Sequence, residues 1–176
     1  DLPTMLRGFA AAAREEPKLR LILAGAGTEE KRLRALSKEL GVGERVHFVG
    51  WLSDTDALYA SLDICLLTSL SETFPYALTD AAKYRLPVIA TAVGGVPELV
   101  DNGVHGLLIA RRDDAALASA LLRLSRDAAL REKLGAALCD RAAKEFSLSA
   151  MERREKEICR AVLSPRREVV LAGAYG

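Results

Sequence analysis

Residues 63–91, DICLLTSLSETFPYALTDAAKYRLPVIAT, hold two apolar runs separated by a polar loop and a helical stretch. Asp63 to Leu67 is short and unbroken by polar residues after its first position, as a strand buried on both faces requires. The polar loop Thr68-Ser69-Leu70-Ser71-Glu72-Thr73 leads through Phe74-Pro75-Tyr76 into a helix that continues to about Arg85. Pro75 suits the first helical turn, where a missing N–H is harmless. Pro87-Val88-Ile89-Ala90-Thr91 is the second run. Strand, helix and strand within about 30 residues make a βαβ unit with parallel strands, because the helix carries the chain back to the end it started from.

The pattern repeats in both directions. Toward the N-terminus, Pro3 to Arg14 has helical apolar spacing and Pro17 ends it. Leu19 to Ala24 is a strand that runs into Gly25-Ala26-Gly27. Thr28, followed by acids, is expected to cap a helix through about Leu40, with Gly41 and Gly43 at its end. Val46 to Val49 is a strand closed by Gly50, and a short helix covers Asp54 to Ser61. Toward the C-terminus come a Gly94-Gly95 loop, a turn at Pro97 to Val100, and a strand at Gly106 to Ile109. Three helices are expected near 113–125, 127–144 and 148–162. The fold class is therefore α/β: a Rossmann-like parallel sheet with helices on both faces and a helical C-terminal tail. Ser164-Pro165-Arg166-Arg167 breaks the pattern, and Glu168 to Gly173 is strand-like again. Residues 1–163 form one domain on this reading, and 164–176 a linker with the first strand of another.

The totals agree with one globular domain. Half of the 176 residues are hydrophobic and 28% are charged. A net charge of +1 argues against nucleic acid as a partner. Cys65, Cys139 and Cys159 form no close pair, and with only His47 and His105 there is no metal-binding pattern. No run is apolar enough to cross a bilayer, and no signal peptide is visible. A reducing, cytoplasmic location is expected.

Ligands of open α/β sheets bind beyond the carboxyl ends of the strands. That points to three loops: Gly25 to Gly27, Thr68 to Tyr76, and Ala92 to Pro97. The first has Gly-x-Gly after a strand, but Glu30 stands where a dinucleotide fold would place a third glycine. Its glycines serve either a tight turn or close approach of a ligand. The second loop joins a strand to a helix, whose N-terminal N–H groups and dipole suit a phosphate. Pro75 cannot donate, so the backbones of Phe74, Tyr76 and Ala77 are the candidate donors. Glu72 lies on the loop and Asp80 on the helix. Either acid serves a ligand or simply the helix dipole.

Residues 71–82 and 86–100 together resemble the group 1 (family 4) glycosyltransferases of the GT-B type. Those enzymes carry E-x7-E on a loop and helix, then a P-V-V-A-T strand, then G-G-x-P-E. Leu21 to Gly27 resembles their LxIxGxG strand, Arg45 to Gly50 their xVxFxG strand, and Asp101 to Gly106 their DGxxG turn. The likeness runs from Leu2 to Leu163 in one order. It implies the donor-binding half of a retaining glycosyltransferase that needs no cofactor and takes a UDP- or GDP-sugar as substrate. It implies that Glu72 contacts the transferring sugar and Asp80 the ribose. It also implies that Phe74, Tyr76 and Ala77 face the diphosphate, Gly25 and Gly27 approach the donor, and Val49 and Gly50 lie beside the base. The acceptor, a glycan or lipid-linked molecule, belongs to an N-terminal domain that would precede Asp1, as would the first strand of the donor domain itself, with the family's diphosphate-binding Arg and Lys on that strand and its loop. The N-terminal domain would account for any peripheral association with the inner face of the membrane.

Asp80 departs from the family's Glu by one methylene, about 1.5 Å of reach, so a water is expected to bridge it to the ribose. Residues 168–176 resemble the first strand of bacterial polysaccharide pyruvyl transferases, which implies a fusion of two cell-wall polysaccharide enzymes. The alternatives are a non-catalytic nucleotide-sugar-binding module and a nucleotide-sugar epimerase of the GT-B class.

Overall fold

The computed structural model describes residues 1–163; the strand expected at Glu168 to Gly173, with the second resemblance, lies outside them. Helix α1 spans Leu2–Glu15. Asp1 caps it by accepting from the Thr4 N–H at 3.3 Å, and Pro3 sits in its first turn. Strand β1 is Leu21–Ala24, α2 is Glu30–Glu39, β2 is Val46–Gly50 and α3 is Asp56–Ser61. Then come β3 at Cys65–Leu67, α4 at Tyr76–Lys83, β4 at Val88–Thr91, α5 at Val96–Leu99 and β5 at Leu107–Ile109. Helices α6 (Asp114–Arg126), α7 (Ala128–Glu145) and α8 (Leu148–Leu163) complete the domain. The βα alternation and the three C-terminal helices are as the sequence predicts.

All strand pairs are parallel: β1 with β2, and β3 with β4 with β5. The sheet is divided, because β1 and β3 do not pair with each other. Side chains of β3 to β5 alternate between two cores. Ile89, Leu107 and Ile109 join α1, α2 and α6 on one side. Cys65, Val88 and Ala90 join Leu78, Ala81 and Ala82 of α4 and Leu99 of α5 on the other. This period of two explains the unbroken apolar runs: each strand needs an apolar residue at every position. Burial also pushes the Cys65 thiol up to about 12, as expected for a thiol that serves as a small apolar side chain.

Two caps differ from expectation. Thr28 does not cap α2; the cap is Glu29, with no side-chain hydrogen bond, and the helix starts at Glu30. An ion pair from Glu30 to Arg34 at 2.8 Å supports that first turn instead. Pro75 precedes α4 rather than opening it, because its ψ of 81° is not helical. The Tyr76 N–H donates to the Phe74 carbonyl at 3.1 Å, which makes an inverse γ-turn centred on Pro75.

Arg141 ties α7 to the turn before β5. It donates to the Glu98 carbonyl at 2.8 Å, pairs with Asp101, and stands 3.2 Å from His105 Nδ1. Burial first, then the Arg141 charge, holds the His105 pKa below its ordinary 6.5, against Asp101 and Glu145, which raise it. The Asp101 N–H donates to the same Nδ1 at 3.3 Å, which puts the proton of the neutral ring on Nε2.

Candidate functional site

The candidate residues collect at the carboxyl ends of the parallel strands, in two groups. One group stands on β1 and β2. The Gly25 N–H donates to the Gly50 carbonyl at 2.7 Å, which joins the ends of these strands. Gly25 has φ +117° and Gly50 φ +70°, both in the region that favours glycine. No neighbouring atom lies within 4 Å of where a side chain at Gly25, Gly27 or Gly50 would begin. Their bare backbones therefore face open space, which fits approach of a ligand. Val49 is exposed, and so is Trp51 just beyond it, at 80%. The sequence alone does not mark Trp51, because a single tryptophan in a loop carries no pattern.

The second group stands on the loop between β3 and α4 and on α4 itself. Two residues hold the start of this loop. Thr91, fully buried at the end of β4, donates its hydroxyl to the Ser69 carbonyl at 2.6 Å. Thr68 donates to the Asp1 carbonyl at 2.9 Å. The Ser69 hydroxyl then donates to Glu72 Oε1 at 2.6 Å, which fixes the carboxylate. Phe74 stacks on Phe146, ring centroids 5.6 Å apart, so its side chain anchors the loop to the end of α7.

The glycine pair of the Ala92 to Pro97 loop lies against the same segment. A Cβ on Gly94 would fall 1.6 Å from the Glu72 carbonyl oxygen, and one on Gly95 2.4 Å from that of Thr73. Gly94 also has φ +50°. The two glycines are thus required by the backbone that carries Glu72, a long-range contact that the sequence does not announce.

Of the three backbone donors expected here, Tyr76 is engaged by the γ-turn, and the Leu78 and Thr79 N–H groups by the Pro75 carbonyl. Phe74 and Ala77 remain as candidates to meet an anion. Asp80 is one turn into α4 and pairs with Lys83 at 2.6 Å. The Asp80 hydrogen bond, then its charge, raises the Lys83 pKa. Around it, Tyr84 stacks on Tyr59 at 5.8 Å, and a hydrogen bond to Asp56 pushes the Tyr84 hydroxyl up to about 12. The Tyr59 hydroxyl donates to the Ala77 carbonyl at 3.4 Å, so this aromatic pair braces α4 against α3. The carboxylates of Glu72 and Asp80 accordingly have different settings. Glu72 is held by a neutral hydroxyl on a fixed loop, whereas Asp80 is half-exposed and shared with a flexible cation.

Residues 2–138 match the glycosyl transferases group 1 family. A D-inositol 3-phosphate glycosyltransferase of Mycobacterium marinum is 36% identical over 140 residues, 74% of this chain and 29% of its own length. HepE of Anabaena, solved with UDP and glucose, is 27% identical with a TM-score of 0.79, covering 88% of this chain and 44% of that one. The C-terminal domain of a group 1 family protein from Francisella tularensis, at 22% identity, shares the fold with a TM-score of 0.76 over 84% of this chain and 80% of that one. The chain spans about a third of the length of the curated relatives it matches.

Proposed function

The chain belongs to the group 1 glycosyl transferases, and on that premise we propose that it is the half of such an enzyme that holds a UDP- or GDP-sugar while the sugar is transferred with retention at the anomeric carbon. The observation that carries this reading is the Glu72 loop. Its carboxylate is fixed by Ser69, its backbone is closed upon by Gly94 and Gly95, and it runs into α4 at the carboxyl edge of parallel strands. HepE, solved with UDP and glucose, supports a nucleotide sugar as the ligand.

In the proposed arrangement the Phe74 and Ala77 N–H groups meet the diphosphate, aided by the positive end of α4. The bare backbone at Gly25 and Gly27 lets the donor lie close, and Val49 and Gly50 flank the base. Asp80 accepts from the ribose hydroxyls, for which Lys83 must share its partner. Glu72 touches the transferring sugar. Its charge stabilises the positive character that grows at the anomeric carbon as the diphosphate departs, and a fixed carboxylate does this without reorganising. The acceptor, a glycan or lipid-linked molecule, is held by the rest of the polypeptide.

Product analysis with the whole enzyme tests this. Incubation with UDP- and GDP-sugars and a lipid-linked acceptor should release nucleoside diphosphate and give a product whose new glycosidic bond keeps the donor's anomeric configuration by NMR. An epimerised sugar with no transfer would assign the chain to the epimerases, and an inverted linkage would overturn the retaining reading.

A further inference from the structure

Glu72 is held at second hand. Gly94 and Gly95 lie against the carbonyls of Glu72 and Thr73, and Gly95 is the cap from which α5 starts. Helix α5 is a single turn of four residues. One turn has no stability of its own, so other elements must fix where α5, and hence the glycine pair, stands. Helix α7 does so. Val96 and Leu99 of α5 are fully buried in the same core as Leu138 of α7. Three residues on, Arg141 donates to the Glu98 carbonyl at 2.8 Å and pairs with Asp101 just beyond α5. The last carbonyls of a helix have no partner within it, and Arg141 supplies one. Its side chain, only 18% exposed, is held in turn between Asp101 and Glu145, whose Oε2 stands 3.8 Å from Nε.

The same helix reaches the far side of Glu72. Phe146, the cap at the end of α7, stacks on Phe74, whose ring meets Tyr76 edge-on at 5.4 Å. Arg141 and Phe146 lie about 7 Å apart along one helix axis, so their spacing is set by a rigid element. Gly135 seats that helix by letting it approach the Arg85 carbonyl, where a Cβ would fall at 1.8 Å.

We propose that Arg141 and Phe146 are positioning residues of the donor site, through which α7 sets the place of Glu72 from both sides: Arg141 by way of α5 and the glycine pair, Phe146 by way of Phe74. Their effect on transfer rests on the donor-site reading, whereas the grip on the loop stands without it. One group tunes the grip. His105 Nδ1 accepts from the Asp101 N–H and stands 3.2 Å from Arg141. A proton on Nδ1 removes that acceptor and sets a second cation against Arg141, with Asp101 and Glu145 as the carboxylates that face it. Acid below pH 6.5 therefore loosens the turn that Arg141 holds.

Hydrogen exchange and steady-state kinetics of the whole enzyme test this in Arg141→Gln, with Leu134→Ala as the control that weakens α7 through the other core. In Arg141→Gln the hydrogen-bonded amides of Tyr76, Leu78 and Thr79 should exchange at least ~10-fold faster. Its kcat should fall at least ~10-fold, more than the donor KM rises. Leu134→Ala, with a comparable loss of melting temperature, should leave both near the wild type. Arg141→Lys, which keeps a charge beside Asp101, should recover part of kcat. Wild-type kcat should decline from pH 6.5 to 5, and less so in His105→Gln, whose amide accepts from Asp101 without titrating. Equal exchange and kcat in Arg141→Gln and Leu134→Ala would overturn the positioning role. Faster exchange with normal kcat would overturn it too; the donor-site reading then stands if Glu72→Gln lowers kcat and falls if it does not. Should Arg141→Gln fail to fold, Phe146→Leu decides, since it removes the stack on Phe74 but keeps an apolar side chain: faster exchange with lowered kcat supports the role, and the lack of either refutes it.

Discussion

Replacing Gly94 by alanine attacks the site through the backbone that carries Glu72. The new Cβ would lie 1.6 Å from the Glu72 carbonyl oxygen, so the loop must retreat by about 1.8 Å to restore a 3.4 Å contact. The φ of +50° adds the cost of a left-handed alanine, about 1–2 kcal/mol. Overpacking adds about 1–3 kcal/mol, for a total loss of about 2–5 kcal/mol in stability. A domain of ordinary stability, about 5–15 kcal/mol, survives that. Gly135 provides the control. Its Cβ would fall 1.8 Å from the Arg85 carbonyl oxygen, a comparable overlap where α7 meets the end of α4. There the helix propensity of alanine offsets up to about 1 kcal/mol of the cost. Urea denaturation should show both variants destabilised, while donor kcat/KM of the whole enzyme should fall about 100-fold for Gly94→Ala alone, as expected when a reacting group is displaced by more than about 1 Å. Equal kcat/KM in the two variants would refute the claim that the glycine pair positions Glu72.

Three further outcomes follow from the same geometry. Asp80→Ala should raise the donor KM by about 10- to 150-fold, the loss of one charged hydrogen bond of about 1.5–3 kcal/mol, while Lys83→Ala costs only a few tenths of a kcal/mol in stability; an unchanged KM would reduce Asp80 to a partner of Lys83. Glu72→Gln should lower kcat more than it raises KM, with a near-normal melting temperature, since the amide keeps the size and an acceptor for Ser69 but not the charge; a lowered melting temperature with normal kcat would remove Glu72 from the site. His105 has its pKa held below 6.5 in the folded chain, so the unfolded chain binds more protons below that pH. Its stabilising effect is complete above 6.5 and is lost as pH falls below it, so the melting temperature should decline through pH 6.5 to 5, and less steeply in His105→Gln.

The strands and the order of elements were legible because parallel strands buried on both faces leave a run of apolar residues with nothing polar in it, as in Val88 to Ala90. The position of Glu72 was legible for a related reason: a polar loop between a buried strand and a helix lies at the carboxyl edge of such a sheet by topology alone. Features that depend on contact between distant segments were not legible. Gly94 and Gly95 could be read as a flexible loop until the Glu72 and Thr73 carbonyls appear against them. The engagement of the Tyr76 N–H depends on Pro75 adopting ψ 81°, a value that its ring does not determine. Arg141 looked like one of many surface arginines on a helix, yet it gathers Glu98, Asp101 and His105 from a turn some forty residues away.

The central claim is that this chain holds a nucleotide-sugar donor at the Glu72 to Asp80 segment. Isothermal titration calorimetry of the chain with UDP, UDP-sugars and GDP-sugars measures it directly, and the fluorescence of Trp51, the sole tryptophan, offers a local check beside Gly50. The account predicts saturable heat with weak affinity, in the range of about 0.1–1 mM, for UDP- or GDP-sugars, lost in Asp80→Ala. A folded sample that gives no heat with any of these ligands at millimolar concentration, or one that binds equally well after Asp80→Ala and Gly94→Ala, would contradict it.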